Sequence, residues 1–273
     1  MMELEICVDS VESAIAAERG GAQRVELCSG LSEGGITPSL GLVRVVRAAI
    51  GIGIYVMIRP RGGDFYYSGD EFAVMRDDIA SAAEAGANGV VLGLLTRDGE
   101  VDVDRTRLLV EEARMASMPR PDAGSGAMEV TFHRAIDMAR SLEDSLDAVI
   151  EAGAHRVLTS GGAQNAVLGS KRVSGLVSRA AGRIGVMVCG NVRPENVRQI
   201  AETTAARQFH AALRRPVASP VTYRNAALSL GDAGSDEYTR NVVISEDVRD
   251  LRRAMDQVGT RLGTGDGMRL GMA

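Results

Sequence analysis

A short pattern recurs along this chain and constrains what it can fold into. Glu18–Leu27 reads ERGGAQRVEL, Glu84–Gly93 reads EAGANGVVLG and Glu151–Ser160 reads EAGAHRVLTS. Glu202–Ala211, ETTAARQFHA, is a degenerate fourth copy. In each copy a helix is expected to end just after the Glu, at Gly-Ala (Glu-x-Gly-Ala in the second and third copies, Ala-Ala in the fourth), because glycine reaches the left-handed conformation that closes a helix without Cβ strain. A short β-branched run follows. The key positions are Gly21, Gly86 and Gly153, with Ala205 in the fourth copy, so the spacings are 65, 67 and 52 residues. One βα unit takes about 30 residues. Each interval therefore holds two units, and four copies imply eight strands.

The repeated strands centre on Val25, Val90, Val157 and Phe209. The intervening ones are visible as Leu4–Val8, Ile54–Ile58, Val130–Phe132 and Ile184–Val188. Helices are expected over Ser39–Ala49, Asp70–Ala85, Asp104–Met115, Ser141–Ala152, Lys171–Ala181 and Pro194–Thr203. Asp9, with Glu12 three residues on, reads as the capping box of the first helix, and Ser245 as the cap of a last one, Glu246–Gln257. Regular βα alternation favours a parallel sheet with right-handed crossovers. Eight units close into a (β/α)8 barrel, whereas an open doubly wound sheet has fewer. The chain reads as one domain over 1–257, with Pro119–Ala127 as a surface loop and glycine-containing Val258–Ala273 as a flexible tail.

Strand side chains alternate. The helix-covered face should be apolar, and Ile6, Val8, Val25, Leu27, Ile54, Val56, Ile58, Val130, Phe132, Val157, Ile184, Val186 and Val188 fit it. Parity then sends Glu5, Cys7, Glu26, Cys28, Met57, Arg59, Thr131, His133, Met187, Cys189 and His210 inward. An ordinary barrel fills its centre with Val, Ile and Leu, so this polar, sulphur-containing set needs an explanation. Glu5 and Glu26 have a plain one as salt-bridged floor residues. Cys7, Cys28, Arg59, His133, Ser160, Cys189 and His210 fall at strand C-termini, the face where barrel active sites lie.

With 45% hydrophobic residues, 3% aromatics and no Trp, the core must be aliphatic. A formal charge of −5 without a basic patch argues against nucleic acid or an anionic membrane surface as the partner. No run approaches the ~20 apolar residues of a membrane span. The acidic N-terminus is unlike a secretory signal, so a cytoplasmic location is expected. Three cysteines, an odd count, point to thiols and away from a disulfide framework.

Three loops are too specific to be filler: Val25–Pro38 (VELCSGLSEGGITP), Met57–Phe65 (MIRPRGGDF) and Thr131–Met138 (TFHRAIDM). With Glu5–Ser10 (EICVDS), Arg156–Gly161 (RVLTSG) and Tyr223–Asn225 (YRN), they resemble the CutC copper-homeostasis family from residue 3 to about residue 257. The resemblance implies a TIM barrel, an association with cytosolic copper handling, and a homodimer or larger homo-oligomer. It also implies a Cu(I) site at the cysteines of strands one and two, the places held here by Cys7 and Cys28. VCGN at Val188–Asn191 and Ala211-Ala212-Leu213 depart from the family pattern, so no role is carried over to the seventh and eighth loops.

The residues themselves leave two functions open. Cu(I) is soft and prefers thiolate and thioether ligands. Adjacent strands lie ~4.8 Å apart, so Cys7 and Cys28 could share one ion, with Met57 as a weaker third ligand. Otherwise both are small buried hydrophobes; Cys189 reads as inert. The alternative is a barrel enzyme acting on a small anionic or phosphorylated molecule. Arg59, Arg61 and Arg134 would ring the mouth, since arginine forks suit such groups. Ser160, Gly161 and Gly190 would add an anion cradle, and His133 would serve as acid or base with Asp137 or Glu26 setting its protonation. Arg61 and Asp64 could equally lock the loop after strand three. His155, at the far end, has no expected site role. Phe65, Tyr66 and Tyr67 suggest a lid or subunit contact, and Met75 and Met138 read as packing residues.

Overall fold

The computed structural model describes residues 2–116, 126–225, 227–228 and 236–264, with side chains to residue 258. Eight parallel strands close a barrel in sequence order: β1 (Glu3–Val8), β2 (Arg24–Leu27), β3 (Gly53–Met57), β4 (Gly89–Leu92), β5 (Glu129–Phe132), β6 (Arg156–Thr159), β7 (Gly185–Val188) and β8 (Gln208–Ala211). Leu4 pairs with Phe209 and Glu5 with His210 where β1 meets β8. Helices α1 (Val11–Arg19), α2 (Leu40–Ala49), α3 (Gly69–Glu84), α4 (Val103–Ala116), α5 (Leu142–Glu151), α6 (Ala166–Ala180), α7 (Val197–Thr204) and α8 (Ser245–Thr264) alternate with them.

The repeat works as its residues require. Gly21, Gly86 and Gly153 adopt φ of +93°, +87° and +86°, and Ala205 in the fourth copy accepts +56°. Strand parity partitions the core. Every residue assigned to the outer face is buried in one continuous aliphatic layer with helix residues such as Val43, Ile79, Leu109, Val173 and Ile200. Each such side chain contributes about 1.5–3 kcal/mol by leaving water. Cys7, Cys28, Tyr55, Met57 and Val91 form a separate inner cluster, and Leu158, Met187 and Cys189 another.

Several local expectations are corrected. Ser10, not Asp9, caps α1: its backbone is extended and its hydroxyl accepts from the Ser13 amide at 3.2 Å. The capping box occurs instead at Ser68 and Glu71, before α3. Helix α6 begins before Lys171 because Asn165 caps it, accepting from the Leu168 amide. Helix α7 begins after Pro194, within a turn closed by Asn196 and Val197 amides donating to the Arg193 carbonyl. Helix α8 continues past Gln257 to Thr264. Met138, expected to pack, is 72% exposed, whereas Met75 is fully buried. Most of Pro119–Ala127, and residues 265–273, lie outside the described residues.

An antiparallel pair, β9 (Arg214–Ala218) and β10 (Thr239–Val243), was not anticipated. Its sequence gives little signal, because Arg-Arg-Pro has no apolar alternation and proline is confined to such edges. The pair docks on α1 through Val243, whose amide donates to Ser13 Oγ. No helix among the described residues is long and apolar enough to cross a membrane.

Candidate functional site

The barrel interior is built from the bottom by a charged floor. Arg24 is buried beside Glu5, its Nε donating to Glu5 Oε2 at 2.5 Å. Its guanidinium lies 3.4 Å from the centre of the Tyr55 ring and within 3.8 Å of Glu3 and 3.7 Å of Glu129. Arg156 bonds Glu129 at 2.9 Å and Gln208 at 3.1 Å, and the Tyr55 hydroxyl donates to Glu129 at 2.6 Å. The floor pairing expected of Glu5 is present. Arg24, Tyr55, Glu129 and Arg156 were not singled out from the sequence, although they share the inward parity of Glu26, Met57, Thr131 and Leu158.

Above the floor, three neighbouring strands bring a second group together. Cys7 on β1 faces Glu26 on β2, and Glu5 on β1 faces His210 on β8. One donor atom each from Cys7, Glu26 and His210 lies within 4.8 Å of the other two. His210 Nδ1 is 2.7 Å from Glu5 Oε1, and its Nε2 is 3.8 Å from Glu26 Oε2. Cys28 follows β2, fully buried, with its thiol 3.6 Å from Glu26 Oε2. Gly35 folds over it: a Cβ there would lie 3.2 Å from Cys28 Sγ and 3.6 Å from the Met57 methyl. Glu26 thus sits with the sulphurs and with His210, and among the described residues no arginine pairs with it.

The electrostatics follow from burial and contact. The Cys28 thiol, by donating to it, holds the Cys7 pKa down at about 5 against burial, with help from His210. The Cys28 proton therefore has two acceptors within reach, Cys7 and Glu26, and its own pKa is pushed well up by that hydrogen bond and by burial. Burial raises Glu26 to about 8 despite the positive charge of His210. Burial would lower His210, but the charge of Glu26 and bonds to Cys7 and Glu5 raise it well above its usual value. Burial would raise Glu5; Arg24 and then His210 overcome that and hold it at about 2. These groups titrate as a unit.

The mouth is arranged differently from the anion-handling site the sequence suggested. Arg59 is 5% exposed, and its guanidinium donates to the backbone carbonyls of Glu33, Gly35 and Gly63. It ties the loop after β2 to the loop after β3, which leaves only Nε without a partner. Arg61 bonds Glu71 and Asp64 and so locks the third loop. His133 is buried against Phe65, with ring centroids 4.9 Å apart. Its Nδ1 accepts from the Ala135 amide, and among the described residues its Nε2 has no partner. Burial, then the charge of Arg59, lower its pKa to about 3. Neither Asp137 nor Glu26 bonds it.

Asp137 instead fills the cradle after β6. It accepts from the Ser160 and Gly162 amides and from the Thr159 and Ser160 hydroxyls, and pairs with Arg134 at 2.8 Å. The Gly161 amide is taken by Thr159 Oγ1. A side-chain carboxylate thus occupies the place proposed for an external anion at Ser160 and Gly161, and Arg134 answers that carboxylate. Gly190 turns at φ +99° against the start of α6, its carbonyl accepting from the Ala166 amide. Cys189 is buried among Leu158 and Met187, where burial raises its pKa.

Known proteins share this arrangement of sequence and fold. The family model described as the CutC family matches residues 2–215. A family protein CutC of Chromobacterium violaceum is 46% identical over 254 residues, covering 93% of this chain and 98% of that protein. The human copper homeostasis protein cutC homolog is 44% identical over 249 residues, covering 91% and 87%. Among solved structures, CutC from Streptococcus agalactiae superposes with a TM-score of 0.68 at 31% identity, covering 77% of this chain and 98% of that one. Phosphoribosylanthranilate isomerase from Pyrococcus furiosus (TM-score 0.54, 15% identity, covering 94% and 100%) shares the barrel fold alone. With the family model spanning most of the barrel and relatives above 40% identity matching nearly end to end, this chain belongs to the CutC family.

Proposed function

We propose that this protein serves copper homeostasis by binding Cu(I) inside the barrel through Cys7 and Cys28. One observation carries the reading: Cys7, Cys28 and Met57 share one buried cluster inside the barrel. Soft thiolate and thioether donors are the set Cu(I) prefers, and the apolar neighbours Tyr55 and Val91 limit access of water and oxidant. Relatives above 40% identity carry the name copper homeostasis protein. All three cysteines are free thiols, consistent with work in the reducing cytoplasm.

An enzyme acting on a small anion through Arg59 and His133 is the weaker reading. The Arg59 donors are held by loop carbonyls, and His133 is a buried neutral imidazole. The test is competition of reduced protein against a chromophoric Cu(I) chelator, repeated with Cys7→Ser and Cys28→Ser. Tight one-to-one binding in the wild type and its loss in both variants is the expected result. Equal affinity in all three proteins would overturn the assignment.

A further inference from the structure

The interior holds a donor that copper binding by two cysteines does not use. Glu26 is buried, and among the described residues its Oε1 has no hydrogen-bond partner. A buried carboxylate oxygen without a partner is costly, and such orphans call for an explanation. Within 4.8 Å of one another stand a Glu26 oxygen, the Cys7 sulphur and a His210 ring nitrogen.

We propose that Cys7, Glu26 and His210 form a site for a borderline divalent cation of the zinc class. The donor set is mixed sulphur, oxygen and nitrogen, which suits Zn(II) better than Cu(I). Its two acidic donors and neutral imidazole match a double positive charge, whereas Cu(I) carries only one. His210 is held as metal-bound histidines are. Its Nδ1 lies 2.7 Å from Glu5, Glu5 is anchored in turn by Arg24, and Nε2 is thereby left 3.8 Å from Glu26. A carboxylate behind the imidazole fixes the ring and strengthens it as a ligand. Three protein ligands leave a fourth tetrahedral position free, the pattern of catalytic zinc and not of structural zinc. The cation would therefore offer a Lewis-acid position in the barrel interior, beside a group that includes Cys28, whose thiol lies 3.6 Å from Glu26.

This site shares Cys7 with the copper reading but not Cys28, so the two fail separately. The probe is Co(II) added to the reduced full-length protein, followed by displacement with Zn(II). The wild type should take one equivalent and show tetrahedral d–d bands with a sulphur-to-cobalt charge-transfer band. Glu26→Gln, which keeps shape and hydrogen bonding, and His210→Ala should each weaken Co(II) binding by about 100-fold or more. Cys7→Ser should abolish the charge-transfer band, and Cys28→Ser should leave it. X-ray absorption on the zinc-loaded wild type needs no variant: one sulphur with nitrogen and oxygen neighbours supports the site. Two sulphurs, no sulphur, a wild type that takes no Co(II), or undiminished binding in Glu26→Gln and His210→Ala would each overturn it. Loss of Cu(I) binding in Cys28→Ser with Co(II) retained would separate the two sites.

Discussion

Replacing Arg24 by Met removes the cation packed between Glu3, Glu5 and Glu129 in the barrel floor. Glu5 feels it most. Burial works to raise the Glu5 carboxyl, yet Arg24 first and His210 second hold it at about 2, against 4.5 for a free side chain. At about 1.4 kcal/mol per tenfold change in proton affinity, that drop corresponds to about 3 kcal/mol of stability at neutral pH. The carboxylate pKa is depressed, so this stability is present above 4.5 and is lost as pH falls through about 2. Breaking a buried pair by removing one partner costs about 3–5 kcal/mol, because a charge is stranded. Urea unfolding followed by circular dichroism should show Arg24→Met weaker by about 3–5 kcal/mol at pH 7. At pH 3 the gap should narrow: the variant's Glu5 is then protonated in both states, while the wild type has already lost part of its advantage. Adding Glu5→Gln to the variant should restore stability, since an amide leaves no charge stranded. A penalty below about 1 kcal/mol, typical of exposed pairs, or one equal at both pH values, would show that this ion pair does not hold the floor.

Helix α6 offers a paired test of close packing. A Cβ at Gly169 would stand 1.7 Å from the Ser160 carbonyl oxygen, whereas one at Gly175 meets nothing within 4 Å. Gly169→Ala should destabilise by about 3 kcal/mol or more, and Gly175→Ala should stabilise by about 0.5–1 kcal/mol in thermal unfolding; equal effects would refute the contact. His133 should remain a neutral imidazole, with its proton on Nε2, in nitrogen NMR from pH 8 down to pH 5, since its pKa is lowered to about 3. With an imidazole pKa depressed from 6.5, folding stability falls as pH drops from 6.5 toward 3. His133→Gln should flatten that decline, and a ring titrating near 6.5 would contradict the burial argument.

Much of the fold is legible in the chain because its signals are local. A Gly-Ala step marks helix ends at Gly21, Gly86 and Gly153, since the left-handed turn depends on one residue's Cβ. Alternation along β1 and β2 separates Ile6 and Val25 from Cys7 and Glu26, since parity is a property of a single strand. The same logic reaches Arg24 and Tyr55, but their meaning emerges only against Glu5, Glu129 and Arg156 on other strands. The pairing of β9 with β10 was not legible, because the partners are separated by a long stretch and neither alternates cleanly.

Charged loop residues separate the two levels most clearly. Arg59 and Arg134 carry the chemistry of an anion site in the sequence, and Asp137 that of a partner for His133. Loop closure instead turns Arg59 onto three carbonyls and places Asp137 in the amide cradle that an external anion would have used. Sequence alone determined an eight-stranded parallel barrel, which side chains enter it, and that sulphur and charge meet there. Only the tertiary structure decided which donors remain free. Hydrogen-bonding capacity is a property of the residue, but whether it is already satisfied depends on neighbours that the closed barrel brings from distant parts of the chain.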